Sequence, residues 1–230
     1  MLKNAILAVG LLGAVSSYGA TIAWTDWTSA TIGSAGSAAG NLGGVSVSYS
    51  GDVATPTQTG NAVGTYYYTE PNPSLEPYTA NGVIGNLPGT SLRDIIAIDT
   101  ANSGSLNTIS FSAPVYNPVM LLVSLGRDNL PVYYDFDAAL SLSLLSSGEG
   151  YWGGGANSLT LAGNTITGVE GHGAIQINGW VSSIQWATRP DEYWHGFTLG
   201  APAGVPDAIN GFGALLAAMG SLIGFRRLAK

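Results

Sequence analysis

Between residues 20 and 200 the apolar positions recur at every second residue, and no stretch carries the three-to-four spacing of a long amphipathic helix. In Gly44-Val45-Ser46-Val47-Ser48-Tyr49-Ser50 the valines and the tyrosine fall on one face and the serines on the other, as a half-buried strand requires. Similar short runs read as strands at 21–27, 94–98, 107–111, 119–125, 132–136, 140–145, 158–161, 165–169, 174–177, 182–186 and 195–199, with turn residues between them. Gly163-Asn164 has the two-residue spacing of a primed-turn hairpin. Val119–Val123 is nearly all apolar and predicts a central strand buried on both faces. Short strands, Gly-rich turns and no helical crossovers predict an all-β fold: an antiparallel β-sandwich of jelly-roll type over residues 20–200. Residues 28–43, rich in Gly, Ala, Ser and Thr, read as irregular, and the Pro-rich excursion at 71–77 is expected to cover one end of the sandwich.

Composition removes several chemistries. With no Cys there are no disulfides, thiolate zinc sites or cysteine nucleophiles, and two His cannot build a multi-His metal centre. Between residues 20 and 206 three arginines face thirteen acidic residues, a net charge of −10, which disfavours nucleic acid as a partner. No Gly-x-Ser-x-Gly sequence is present, which weakens a serine-hydrolase reading.

Both ends read as addresses. Met1-Leu2-Lys3, an apolar run from Ala5 to Val15 and the small residues Ser17 and Gly19 follow the order of a secretory signal peptide over 1–19, cut after Gly19. At the other end a 201–204 linker leads to Val205-Pro206-Asp207, then an uncharged apolar stretch over 208–225, then Arg226, Arg227 and Lys230. Eighteen residues of helix span about 27 Å, enough for a thin bilayer core, and the basic cluster would keep that end cytoplasmic with the preceding domain outside.

This tail resembles the PEP-CTERM sorting signal of Gram-negative bacteria, in its Val-Pro-Asp variant: Val205, Pro206 and Asp207 form the motif, 208–225 the helix, and Arg226 and Arg227 belong to the basic cluster. The usual Pro-Glu-Pro is replaced here by Pro206-Asp207-Ala208. Such tails also go under the label of an ice-binding protein C-terminal domain, which describes the tail and implies nothing about ice. The resemblance implies recognition and cleavage by an exosortase, a membrane cysteine transpeptidase, and association with exopolysaccharide and biofilm matrix at the cell surface. The logic is that of a GPI signal, in which an apolar tail holds the protein at the membrane until a transpeptidase removes it.

Three constellations could carry chemistry. Asp135 and Asp137 share one face of a strand, as an acid/base pair or a calcium ion would need. On an acidic protein the alternative is a solvated strand face. Tyr151-Trp152 and Tyr193-Trp194 each lie in or beside a turn and near an acid. Aromatic faces suit the apolar sides of pyranose rings, and carboxylates suit the hydroxyls, although large aromatics also plug the ends of sandwiches. Trp180 and Trp186 sit where alternation would bury them. His172 and His195 could meet across neighbouring strands with Glu170 or Glu192 nearby, as a structural pair or as metal ligands. The candidate ligand-binding set is therefore Tyr151, Trp152, Glu170, His172, Tyr193, Trp194 and His195.

These readings converge on a non-enzymatic, exported surface or matrix protein that contacts extracellular polysaccharide. One alternative is a polysaccharide-active hydrolase or lyase with Asp135, Asp137, Glu149, Glu170 or Glu192 as acid and base; another is a purely structural coat or adhesin module. No cofactor is called for. Calcium stays open, although no Asp-x-Asp-x-Asp-Gly loop is present.

Overall fold

The computed structural model describes residues 19–60, 64–68, 76–90, 92–99 and 104–204. The expected signal peptide, except Gly19, and the expected sorting tail lie outside these residues, as does 71–75 of the Pro-rich excursion. Among the described residues no helix is long and apolar enough to cross a membrane.

The alternating sequence folds into fifteen strands: β1 (Ile22–Trp24), β2 (Asp26–Thr31), β3 (Gly33–Leu42), β4 (Val45–Val53), β5 (Ile96–Ile98), β6 (Leu106–Tyr116), β7 (Val119–Leu125), β8 (Val132–Phe136), β9 (Leu142–Gly150), β10 (Gly153–Gly154), β11 (Leu159–Ala162), β12 (Thr165–Gly168), β13 (Gly171–Ile177), β14 (Trp180–Arg189) and β15 (His195–Pro202). They form two antiparallel sheets. One has seven strands in the order β1-β15-β7-β13-β9-β10, with β5 also paired to β15; the other has eight in the order β11-β12-β8-β14-β6-β4-β3-β2. The chain passes repeatedly between the sheets, so that one contains the order β5-β15-β7-β13 and the other β6-β14-β8-β12. The all-β sandwich expected from the alternation is the observed architecture.

The main core lies between the sheets. Val47 and Tyr49 of β4, Ile109 of β6 and Ile184 and Trp186 of β14 meet Met120 and Leu122 of β7, Ile175 of β13 and Phe197 of β15. Trp186 is in ring contact with Tyr49, Tyr134, Phe136 and Phe197 at 5.4–6.1 Å. The β11–β12 hairpin turns at Gly163-Asn164, with positive φ at Gly163 only, the pattern of a type II′ turn.

A second core covers the outer face of the seven-stranded sheet, which explains why β7 is apolar throughout. Val119, Leu121 and Val123 point away from the first core and pack under Tyr68, Tyr78, Ile84 and Ile95. The covering residues belong to the non-strand segment between β4 and β5. A buried loop must satisfy its backbone, and side chains do so here. Asn86 accepts the Ile22 N–H (2.6 Å) and donates to its carbonyl, and the Glu76 carboxylate accepts N–H groups of Tyr78, Thr79 and Ala80. The Tyr66 and Tyr68 hydroxyls donate to the carbonyls of Pro88 and Asp94, each at 2.7 Å. Of the Pro-rich run only Glu76 and Pro77 are described, and the Pro77 carbonyl accepts from the Ser146 hydroxyl of β9 at 2.9 Å.

Two expectations are corrected. Residues 28–43 are not irregular: they form most of β2 and all of β3, and β3 pairs on both sides. Its inward positions Gly36, Ala38 and Gly40 are small, and a side chain at Gly36 would strike Val53 and the Thr31 carbonyl. Trp180 is not buried but 46% exposed, beside Tyr116. A register shift between Val181 and Ser183 reverses the alternation of β14, so only Trp186 points inward.

Candidate functional site

One end of the sandwich gathers most of the candidate residues. Here β7 and β9 end and β13 and β15 begin. β7 carries a bulge: Leu122 pairs with Gly173 and Leu125 with Gly171, leaving one extra residue on β7, and Ser124 within it has φ +57°. The Ser124 hydroxyl donates to Glu170 at 2.9 Å, and Glu170 itself has φ +49°. Bulges and left-handed non-Gly residues are costly, and they collect beside sites.

The β9–β10 hairpin presents Tyr151-Trp152 at its two-residue tip, between paired Gly150 and Gly153. Gly150 is required for close approach, since a Cβ there would sit 2.0 Å from the His172 ring. Tyr151 and Trp152 are 44% and 45% exposed. Beneath them, buried Tyr67 stacks on Trp152 (5.2 Å, 24°) and touches Tyr151 and Trp194, each at 5.2 Å. Trp152 and Trp194 meet edge-on at 4.7 Å. Three of the four Tyr-Trp residues singled out in the sequence therefore converge on one cluster. Tyr67, which no alternation marked, is its floor, and the run Tyr66-Tyr67-Tyr68 is the signal that could have found it.

Tyr193 leaves the cluster. It is 81% exposed, with the Arg127 guanidinium 4.9 Å from its ring centroid. Together with Asp99, Asp191 and Glu192 these two residues line a groove of about 380 Å³. Glu192 is buried and accepts the Gly126 N–H at 2.9 Å. Burial raises the Glu170 carboxyl above the ordinary range; the Ser124 hydrogen bond and Arg127 oppose this and the charges of Glu192 and Asp128 reinforce it.

The two histidines do not meet. β13 and β15 lie on opposite sides of β7, and both side chains are fully buried. His172 faces the outer core, where Tyr78 Oη lies 3.3 Å from Nδ1. Burial pushes its pKa down to about 4, so the ring is neutral at neutral pH. His195 faces the inner core against Tyr134, with Nδ1 2.9 Å from Glu192 Oε2 but not aligned as a hydrogen bond. Among the described residues no group of three or more His, Asp or Glu is placed to hold a metal.

The remaining acids separate. Burial would raise the Asp135 carboxyl, but hydrogen bonds from Arg189 (2.5 Å) and Thr165 (2.8 Å), together with the Arg189 charge, hold it below the ordinary range. Asp137 accepts the Ala139 N–H in a turn, at 2.9 Å. Both lie on β8 or just after it in the eight-stranded sheet, Asp135 part-exposed in its ion pair with Arg189 and Asp137 exposed in a turn. Comparison with family models, with curated proteins and with solved structures finds no match to this chain.

Proposed function

We propose that this protein is exported, sorted by an exosortase-type transpeptidase acting on the 205–230 tail, and retained at the cell surface or in the extracellular matrix, where a jelly-roll sandwich binds polysaccharide. The interleaved order β5-β15-β7-β13 in one sheet and β6-β14-β8-β12 in the other supports the jelly-roll assignment. The observation that carries the binding reading is the cluster of Tyr67, Tyr151, Trp152 and Trp194. Two of its rings keep nearly half their surface open while their inner sides rest on a buried tyrosine, so they are held ready to stack on pyranose faces at little further entropic cost. The test is retention on an array of extracellular polysaccharides. Wild type is retained and the Tyr151→Ala/Trp152→Ala variant loses retention at least tenfold; equal retention of the two removes this cluster from the reading. Export predicts a mature mass lacking both the first 19 residues and the tail.

A second reading, a polysaccharide-active hydrolase or lyase, is favoured by one observation. Of the five acids considered, Glu170 and Glu192 flank the same β7 bulge, one raised by burial and the other fixed by the Gly126 N–H. Release of reducing or unsaturated ends that disappears in both Glu170→Gln and Glu192→Gln supports it; a wild type that releases none eliminates it.

A further inference from the structure

The opposite end of the sandwich is built differently, and both described ends of the chain leave from it. Ile22 pairs with Pro202, and the Ala203 N–H bonds to the Thr21 carbonyl at 2.8 Å, so Thr21 and Ala203 lie side by side at this edge, while Ala20 continues alongside Val83–Gly85 of the outer layer. Beside them a groove of about 190 Å³ opens between the sheets, lined by Leu42, Val45, Val115, Ala201 and Pro202 among others and by no charged residue. Tyr116 and Trp180 stand on its rim, 39% and 46% exposed, with ring centroids 5.2 Å apart.

From this geometry we infer that the Tyr116–Trp180 end is a membrane-docking surface, seated at the headgroup level of a phospholipid bilayer while the precursor is anchored. The inference rests on the proposed reading of 208–225 as a membrane span. Three residues, 205–207, separate Gly204 from Ala208, a reach over four Cα steps of at most roughly 14 Å, so an inserted span holds this end against the bilayer. Trp and Tyr favour the interface, where the ring body is apolar and its polar tip stays wet. An uncharged groove loses no ion hydration on approaching the headgroups, whereas the far end, with Asp99, Arg127 and Asp191, would.

The test uses the full chain reconstituted into vesicles of phosphatidylethanolamine and phosphatidylglycerol, with lipids brominated near the headgroup as tryptophan quenchers. Flotation with the vesicles, together with quenching that falls by more than half in Trp180→Phe, is the expected result. Flotation with quenching unchanged by Trp180→Phe overturns the docking surface and leaves the anchor standing; that outcome also covers a groove filled by residues 205–207 in place of lipid. Failure to float overturns the anchor and the docking surface together. Trp180 is exposed and Phe keeps the ring, and a circular dichroism spectrum matching wild type confirms that the variant reports on contact and not on folding.

Discussion

The two ends of the sandwich are made from the same strands and differ in nearly every chemical respect. Where β15 ends, the surface is small, apolar and uncharged, with one exposed Tyr-Trp pair beside the departing chain. Where β15 begins, eight residues or about 26 Å away, a buried and a half-buried carboxylate, a guanidinium, two buried imidazoles and four clustered aromatics crowd around a bulged strand. Two exposed Tyr-Trp surfaces thus occur in one molecule with opposite surroundings. An aromatic pair backed by a buried tyrosine and flanked by acids suits an amphipathic, hydroxyl-bearing ligand. An aromatic pair beside an uncharged groove suits an interface with lipid. Polarity around the rings, and not the rings themselves, separates the two roles.

That contrast sets the order of effects. The largest is the acid sensitivity of the polar end. His172 is buried neutral, with its pKa lowered from 6.5 to about 4. Above pH 6.5 the ring is neutral whether the chain is folded or not, and stability is full. As pH falls from 6.5 towards 4 the unfolded chain takes up a proton that the fold refuses, and about 3 kcal/mol is lost. Urea midpoints across that range should therefore fall in the wild type and lie nearly flat in His172→Leu. A wild type flat across the window would break the contrast. Next, Gly150→Ala pushes a methyl into the His172 ring and should cost about 1–3 kcal/mol while displacing the Tyr151-Trp152 tip, read as a lower urea midpoint together with weaker polysaccharide retention. Glu170→Gln should stabilise slightly at pH 7, because the fold disfavours the ionised carboxyl and the amide oxygen still accepts from Ser124. Part of that carboxyl is solvated, so the gain is only about 0.2–0.5 kcal/mol by denaturant titration. Smallest of all, Trp180→Ser at the apolar end should leave the urea midpoint within about 0.5 kcal/mol of wild type, since an exposed ring contributes little to folding.

How far the sequence led depends on which layer is considered. The inner sandwich was legible because β4 over Val45–Tyr49 and β8 alternate cleanly and their inward residues are large and apolar. β3 was not, because its inward Gly36, Ala38 and Gly40 carry too little side chain to show a period. Two irregularities also defeated alternation. The register shift in β14 turned Trp180 outward, and the Ser124 bulge lets Leu122 and Leu125, three apart, share the inner core. The outer layer follows no period at all. It is held by scattered side-chain-to-backbone bonds such as those of Asn86 and Glu76, which leave no pattern to read. Hence Tyr151, Trp152 and Trp194 could be proposed from composition and turn context, while their floor, Tyr67, was marked by no alternation and only by the run Tyr66-Tyr67-Tyr68. The pairing of His172 with His195 failed for a topological reason, the insertion of β7 between their strands.

The central claim is that ligand meets the aromatic cluster at the polar end and nowhere near Trp180. Its most direct test is a polysaccharide titration followed by the indole N–H resonances of the six tryptophans in a proton–nitrogen correlation spectrum. The account predicts shifts at Trp152 and Trp194 with Trp180 unmoved. Saturable shifts at Trp180 with Trp152 unmoved would contradict it.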